Sequence, residues 1–211
     1  MKAFLKALDD MQVRLSQLPD VIDPFAVQAV RDNIKNAPHK ANAPLTKKLK
    51  NGGAKPLFDS GELYASITSE REGLNVIVGT NKVYAPLVNS GGLVKPKRAR
   101  QLAIPTTLGV KRKSDALGVR ALLKSLESQG WKIFYRPHSI IGRAPVGGKA
   151  LGLKINSKLN RSNKKANKGV AYVLFRRVPK VKVPGRQFML LTDEQQTRLN
   201  AMAKAHLKGR S

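Results

Sequence analysis

From residue 73 to residue 192 the chain carries 25 Lys or Arg and only two acids, Asp115 and Glu127, a net charge of +23. The flanks are nearly balanced: residues 1–72 hold 11 basic and 9 acidic side chains, and residues 193–211 hold 4 and 2. A solubility device would spread its charge over the whole surface. An excess this regional implies a polyanionic neighbour, most simply nucleic acid.

Three runs concentrate the excess. The first supplies Lys95, Lys97, Arg98 and Arg100; the second is Lys111, Arg112 and Lys113; the third, Lys158–Lys168, includes Arg161, Lys164, Lys165 and Lys168. Each has Pro, Ser, Asn or Gly neighbours and few large apolar residues, which reads as exposed, mobile loop. Almost free of balancing acid, these eleven side chains are the candidate DNA-facing or docking residues.

Apolar residues make up 41% of the 211 positions, enough for a folded core. The chain has no Cys, which excludes disulfides, thiolate metal sites and a Cys nucleophile. No apolar run reaches the roughly 20 residues that cross a bilayer. The opening Met1–Gln12 places acids where a signal peptide would keep an apolar stretch, so a soluble chain made inside the cell, with no membrane partner, is expected.

Phe4, Leu8, Met11, Leu15 and Leu18 repeat at spacings of four and three, one face of a helix that Pro19 is expected to end. Asp23 and Pro24 are an N-cap and first-turn pair for a second helix with Val27, Val30 and Ile34 on its buried stripe. Residues 37–56, rich in Pro, Gly and Lys, read as a loop or hinge. Asp59 is expected to cap a short helix carrying Leu63, Tyr64 and Ile67. Gly73 marks a turn before the β-branched run Leu74–Val78, which Gly79 closes, and Val83–Val88 is a short apolar segment.

A long excursion spans Leu93–Gly169. It holds an expected strand at Leu102–Ile104, a helix from near Ser114 with Val119, Leu122, Leu123 and Leu126 on one face, and Gly130 as its C-cap. Strands are expected around Trp131, Ile133 and Tyr135 and at Lys149–Ile155, then at Tyr172–Arg177 and Val181–Val183. Thr192 and Gln195 form a capping box for a last helix whose apolar face is Leu199, Met202, Ala203 and His206. The class is α+β: N-terminal helices, a small, mainly antiparallel β-sheet or sandwich with a long basic insertion, and a C-terminal helix. The expected organisation is a helical arm and linker over 1–55, then one α+β domain over 56–211 with its insertion at about 93–169.

Catalytic patterns are missing. His39, His138 and His206 lie far apart and suit a loop, a turn and helix packing respectively. There is no His-Glu-x-x-His pair, no nucleophile elbow and no Walker loop. Asp115 and Glu127 are the only acids of the basic region and fall on or beside one expected helix, too few to converge on hard cations. No enzyme, cofactor or metal site is expected. No zinc finger, basic zipper or helix-turn-helix pattern is present, and aromatics are 5%, few for base stacking. What remains is non-specific attraction to phosphate.

Three ordered segments resemble a known family. Phe58-Asp59-Ser60-Gly61-Glu62-Leu63 with Ser66-Ile67 resembles the opening motif of tailed-phage virion morphogenesis proteins, the tail-completion or neck family of head–tail joining, in its Mu-like branch. Val78-Gly79-Thr80-Asn81, Tyr84-Ala85 and Ser90-Gly91-Gly92 resemble its second motif. Val183-Pro184-Gly185-Arg186-Gln187-Phe188 resembles its closing one. Leu102–Pro105 and Gly148–Leu151 fit two further segments, so the match runs over about 56–208 in order. Gly185 and Gln187 depart from the family's usual Ala and Pro, and the 158–168 loop looks enlarged.

The resemblance implies a structural virion protein at the head–tail junction, assembled in the host cytoplasm. It implies a homo-oligomeric ring, hexameric in the family, bound to connector or stopper and to tail-terminator or tail-tube proteins, with double-stranded DNA passing through. It gives structural roles to Asp59, Gly61, Leu63, Ser66, Gly79, Tyr84, Gly91, Gly92, Pro184, Arg186 and Phe188. Asp59 would cap a helix; Gly61, Gly79 and Gly91 would supply turns or close approaches; Tyr84 would pack its ring while its hydroxyl finds a polar partner; Arg186 and Phe188 would pin the last helix or reach a neighbour. Two other readings compete: a non-specific nucleic-acid-binding protein of ribosomal or nucleoid type, and a phage DNA-processing enzyme requiring Asp115 or Glu127.

Overall fold

A computed structural model describes residues 1–50, 55–146 and 169–209. The chain opens with α1 (Lys2–Asn36), α2 (Pro44–Leu49) and α3 (Glu62–Ala65), followed by β1 (Ile67–Glu72) and β2 (Asn75–Thr80). Next come α4 (Ala85–Ser90), β3 (Gly92–Val94), β4 (Leu102–Pro105), α5 (Leu108–Leu117) and α6 (Val119–Ser128). It continues through β5 (Lys132–Arg136), β6 (Ser139–Arg143), β7 (Ala171–Val178) and β8 (Val181–Val183) to α7 (Asp193–Leu207). The architecture is α+β, as the pattern of elements required.

Two compact units share these elements. Unit 1 comprises Met1–Ala41, Gly52–Gly92 and Pro184–Ser211; unit 2 comprises Asn42–Asn51 and Leu93–Val183. The helical arm expected over 1–55 is thus part of unit 1 up to residue 41, and the span expected as an insertion forms most of unit 2.

Unit 1 packs α1 against α7, α3 and the antiparallel hairpin β1–β2, in which Ile67 pairs with Thr80 and Glu72 with Asn75. Its core gathers Val30, Ile34, Leu63, Ile67, Ala85 and Phe188. Unit 2 is built on a four-stranded antiparallel sheet in the order β4-β7-β6-β5, while β3 pairs with β8. There Phe175 and Leu174 of β7 are wholly buried with Leu122, Leu123 and Leu126 of α6, Val110 of α5, and Trp131. A β-bulge at Ile140/Ile141 interrupts the register between β6 and β7.

Several elements differ from expectation, each for a local reason. Instead of ending at Pro19, α1 runs on through Pro19 and Pro24 as one helix of 35 residues. A helical proline removes its own N–H and frees carbonyls one turn earlier. Arg71 of β1 ties down this stretch of the helix: Nη2 donates to the Ser16 carbonyl at 2.6 Å, and Nη1 donates to both Asp20 carboxylate oxygens at 2.9 and 3.0 Å. Pro19 itself is buried.

Inside the span read as hinge, Pro44 opens α2 at its first turn. Ile67 belongs to β1, because α3 stops after one turn at Ala65. Val83–Val88 contributes to α4, with Pro86 in its first turn. The single helix expected from Ser114 is two: Gly118 at φ +80° breaks α5 from α6, a conformation that L side chains rarely adopt. Lys111, Arg112 and Lys113 therefore lie on a helix, not a loop. β6 was not foreseen; it pairs with β5 across a tight turn at Pro137 and His138. The strand expected at Lys149–Ile155 lies outside the described residues.

Phe188 is the largest side chain of unit 1 with no exposed surface. Phe188→Ala is expected to cost about 3–5 kcal/mol. Urea unfolding checks it, and an unchanged midpoint would contradict the packing described.

Candidate assembly and nucleic-acid interface

In unit 1 the motif residues converge on one segment, Pro184–Leu190. The backbone N–H of Arg186 donates to the carbonyls of Val88 and Asn89, both at 3.0 Å, just before α4 ends. Asn89 returns the contact, its Oδ1 accepting from the N–H groups of Phe188 at 3.0 Å and Met189 at 3.1 Å. From the other side Asn33 of α1 donates through Nδ2 to the carbonyls of Leu190 at 2.6 Å and Phe188 at 3.3 Å. Asn33 is buried, and its own Oδ1 accepts from Gln195 Nε2 at 3.1 Å. Gln195 is also the far member of the capping box, accepting from Thr192 N–H at 3.0 Å while Thr192 Oγ1 accepts from Gln195 N–H.

Arg186 is 8% exposed, and its Nε donates to the Lys40 carbonyl at 2.9 Å. Burial pulls its guanidinium below the usual arginine pKa. It remains the charged form at neutral pH, because arginine is not deprotonated in proteins. Within unit 1 it thus ties the segment before α7 to the backbone at residue 40.

The remaining motif residues divide. Leu63 is in the core, and the Ser66 hydroxyl donates to the Leu63 carbonyl at 2.9 Å and lies 2.7 Å from Thr80 Oγ1. Pro184 is half-buried at the start of the pinned segment. Gly61 and Gly91 have φ of +85° and +76°, and flank α3 and α4. At Gly92 a Cβ would come within 2.8 Å of Leu87 Cδ1.

Three expectations are corrected. Asp59 does not cap α3: the N-cap is Gly61, in the left-handed region and without a side-chain cap, which leaves residue 59 two positions too early. Gly79 makes no turn; it is paired with Thr68 inside β2, and a Cβ there would meet nothing within 4 Å. Tyr84 leaves 44% of its surface exposed at the start of α4, so its ring is not packed as expected.

Asn33 and Asn89 are the residues that sequence reasoning missed. Asn89 reads as a turn former before two glycines, and Asn33 as one polar position on a helix. Only Asn33's place among Val30 and Ile34 on the apolar stripe hinted at burial.

Unit 2 holds the charge. Its residues include 26 Lys or Arg against Asp115 and Glu127, whereas those of unit 1 include 14 against 11. Lys95, Lys97, Arg98 and Arg100 are exposed on the loop between β3 and β4, as expected of the first run. Arg112 and Lys113 are exposed on α5, and Lys111 Nζ pairs with Asp115 at 2.7 Å one turn on. Glu127 lies on α6, a different helix. Arg161, Lys164, Lys165 and Lys168 lie outside the described residues.

Among the described residues no three His, Cys, Asp or Glu side chains gather as a metal site, and no helix is long and apolar enough to cross a membrane. His39 and His206 donate to the backbone carbonyls of Asn33 and Arg14, at 2.7 and 3.0 Å.

One further surface is uncovered. The seam read from Phe4, Leu8, Met11 and Leu15 is exposed, Phe4 by 67% and Met11 by 57%. The same face of α1 becomes buried only from Pro19 onward.

Among known proteins, the chain is similar to the Mu-like prophage FluMu G protein 2 of Haemophilus influenzae (strain ATCC 51907 / DSM 11121 / KW20 / Rd). The two are 48% identical over 62 residues, 29% of this chain and 44% of that protein. The chain thus spans less than half the length of this relative. No family model matches the chain, and no solved structure matches it significantly. The likeness points to a protein of Mu-like phage type.

At Gly185 an added Cβ would lie 2.8 Å from the Ser90 carbonyl oxygen and 3.2 Å from the Gly91 nitrogen, both backbone. Gly185→Ala is therefore expected to destabilise unit 1 by about 1–3 kcal/mol. Gly79→Ala, entering open space, should stay within about 0.5 kcal/mol. Thermal melts of the two variants check the contrast; equal shifts would refute the close approach.

Proposed function

We propose that this chain is a structural protein of a Mu-like tailed phage or prophage, acting at the head–tail junction. In this reading it forms a homo-oligomeric ring that joins and seals the capsid connector to the tail, with no catalytic turnover. What carries the reading is the likeness to a Mu-like prophage protein, in a chain whose motifs follow the virion morphogenesis order. The connector or stopper, the tail-terminator or tail-tube protein and passing DNA are its proposed partners.

Two features of the fold support it. The excess charge belongs to one unit, so copies arranged around an axis would bring a dense set of cations to the phosphates of a duplex. Cations on loops and helix faces attract a duplex without reading it, and salt screens them, which suits a polymer that must pass through. The uncovered α1 seam, spaced four and three, has the spacing of a helix–helix seam and offers a neighbouring copy an apolar surface.

Phage particles assembled without this protein are expected to separate into filled heads and free tails under the electron microscope. Intact virions in its absence would overturn the assignment. For the seam, Leu8→Lys with Leu15→Lys is expected to shift the purified protein from oligomer to monomer in analytical ultracentrifugation, with its circular dichroism spectrum kept, because both side chains are exposed in the single chain. An unchanged sedimentation profile would remove the seam from the interface.

A further inference from the structure

Unit 2 carries a groove of about 800 Å³ at one end of the sheet face that α6 covers. Its lining comes from the loop before β4, from β4, from the first turns of α6, and from β5, β6 and β7. The floor is apolar, made by Leu102, Val119, Leu123 and Ile140. Around it stand Lys97 and Arg98 from the loop before β4, Arg120 from α6 and Arg177 from β7. Arg177 is held in place, its Nη1 donating to the Arg136 carbonyl at 2.9 Å. Among the described residues no acid lines the groove, and Asp115, one of the two acids of unit 2, is occupied by Lys111. Tyr135, 61% exposed, supplies an aromatic edge.

This combination selects an occupant. A DNA duplex satisfies cations but presents a sugar-phosphate surface, and would leave the apolar floor facing polar groups. An apolar ligand without charge would fill the floor and strand the cations. A polypeptide segment that interleaves carboxylates with Leu, Ile or Phe satisfies both, burying apolar side chains on the floor while its carboxylates meet the rim. We propose that the groove is a docking site for such an acidic, apolar-bearing segment of a partner protein. The basic region of the chain then serves two kinds of neighbour, with this part of it given to protein.

The groove's chemistry stands apart from the assembly role: particles could require the protein while the groove binds nothing, and the groove could bind while particles form without it. The test uses the full-length chain and fluorescence anisotropy, with three labelled probes: a short peptide alternating Glu and Leu, the same peptide with Ser for Leu, and a DNA duplex. The Glu–Leu peptide is expected to bind at least about tenfold more tightly than the Glu–Ser peptide. Arg98→Glu with Arg120→Glu should weaken Glu–Leu binding by about tenfold or more. Lys113→Glu with Lys180→Glu, the same charge change outside the lining, should move it by less than about threefold. Equal binding of the two peptides, which needs no variant to observe, overturns the proposal. So do equal losses in the two charge variants, which would mean diffuse attraction. Displacement of the Glu–Leu peptide by duplex, with Val119→Asn weakening duplex and peptide alike, would make the groove a nucleic-acid site and overturn it too.

Discussion

Unit 1 depends on the way two asparagines hold one irregular strip of backbone. Residues 186–190 have no strand or helix to satisfy their polar groups, and Phe188 in their midst is wholly buried. An unpaired backbone N–H or carbonyl there would carry a full desolvation cost. Asn89 and Asn33 remove it from opposite sides, one accepting from two N–H groups and the other donating to two carbonyls. Because Asn33 also receives Gln195, the clamp on Phe188 and the start of α7 form one connected network. Arg186 extends it to the Lys40 carbonyl, where burial lowers its pKa without neutralising it. Three segments distant in sequence are thus fixed by side-chain amides, and the glycine at 185 allows the closest approach.

The electrostatics divide along the same lines as the cores. Unit 1 is close to charge balance, and its ion pairs, such as Arg71 with Asp20 and Lys82 with Glu62, are exposed and individually weak. Unit 2 has two acids for 26 bases, and one of those acids is engaged within α5. Repulsion among the remaining cations is tolerable because they are hydrated and mutually screened over ~8 Å at physiological ionic strength.

Much of the fold was legible because its cues are local. The capping box at Thr192 and Gln195, the alternation of Tyr172–Arg177 and the 3.6-residue stripe of Val27, Val30 and Ile34 each depend on residues within a turn or a strand of each other. The failures share a different cause. Pro19 and Pro24 are helix breakers in isolation, and the packing that buries Pro19 and the Arg71 contacts to Ser16 and Asp20 come from segments distant in sequence. Gly79 reads as a turn, yet the pairing of β2 with β1 carries the strand through it. Gly118 lay within a run of helix formers, where its positive φ left no mark in the apolar pattern. Of the candidate interface, the cations were visible by counting, but the groove was not, since its floor is assembled from β4, α6 and β6.

A ring built from such a chain has to reconcile two opposed requirements. Copies brought together repeat the charge of unit 2, and like charges at interfaces oppose association. Attraction between copies must then come from surface that is not basic, and the α1 seam is apolar with both signs of charge around it: Lys2, Lys6 and Arg14 against Asp9 and Asp10. Beyond what salt screens, residual repulsion among the basic units would be relieved by a polyanion or by acidic partner segments. Assembly and ligand would on this account be linked: whatever neutralises the basic units stabilises the ring, so a ring formed without DNA or partner should be the weaker one.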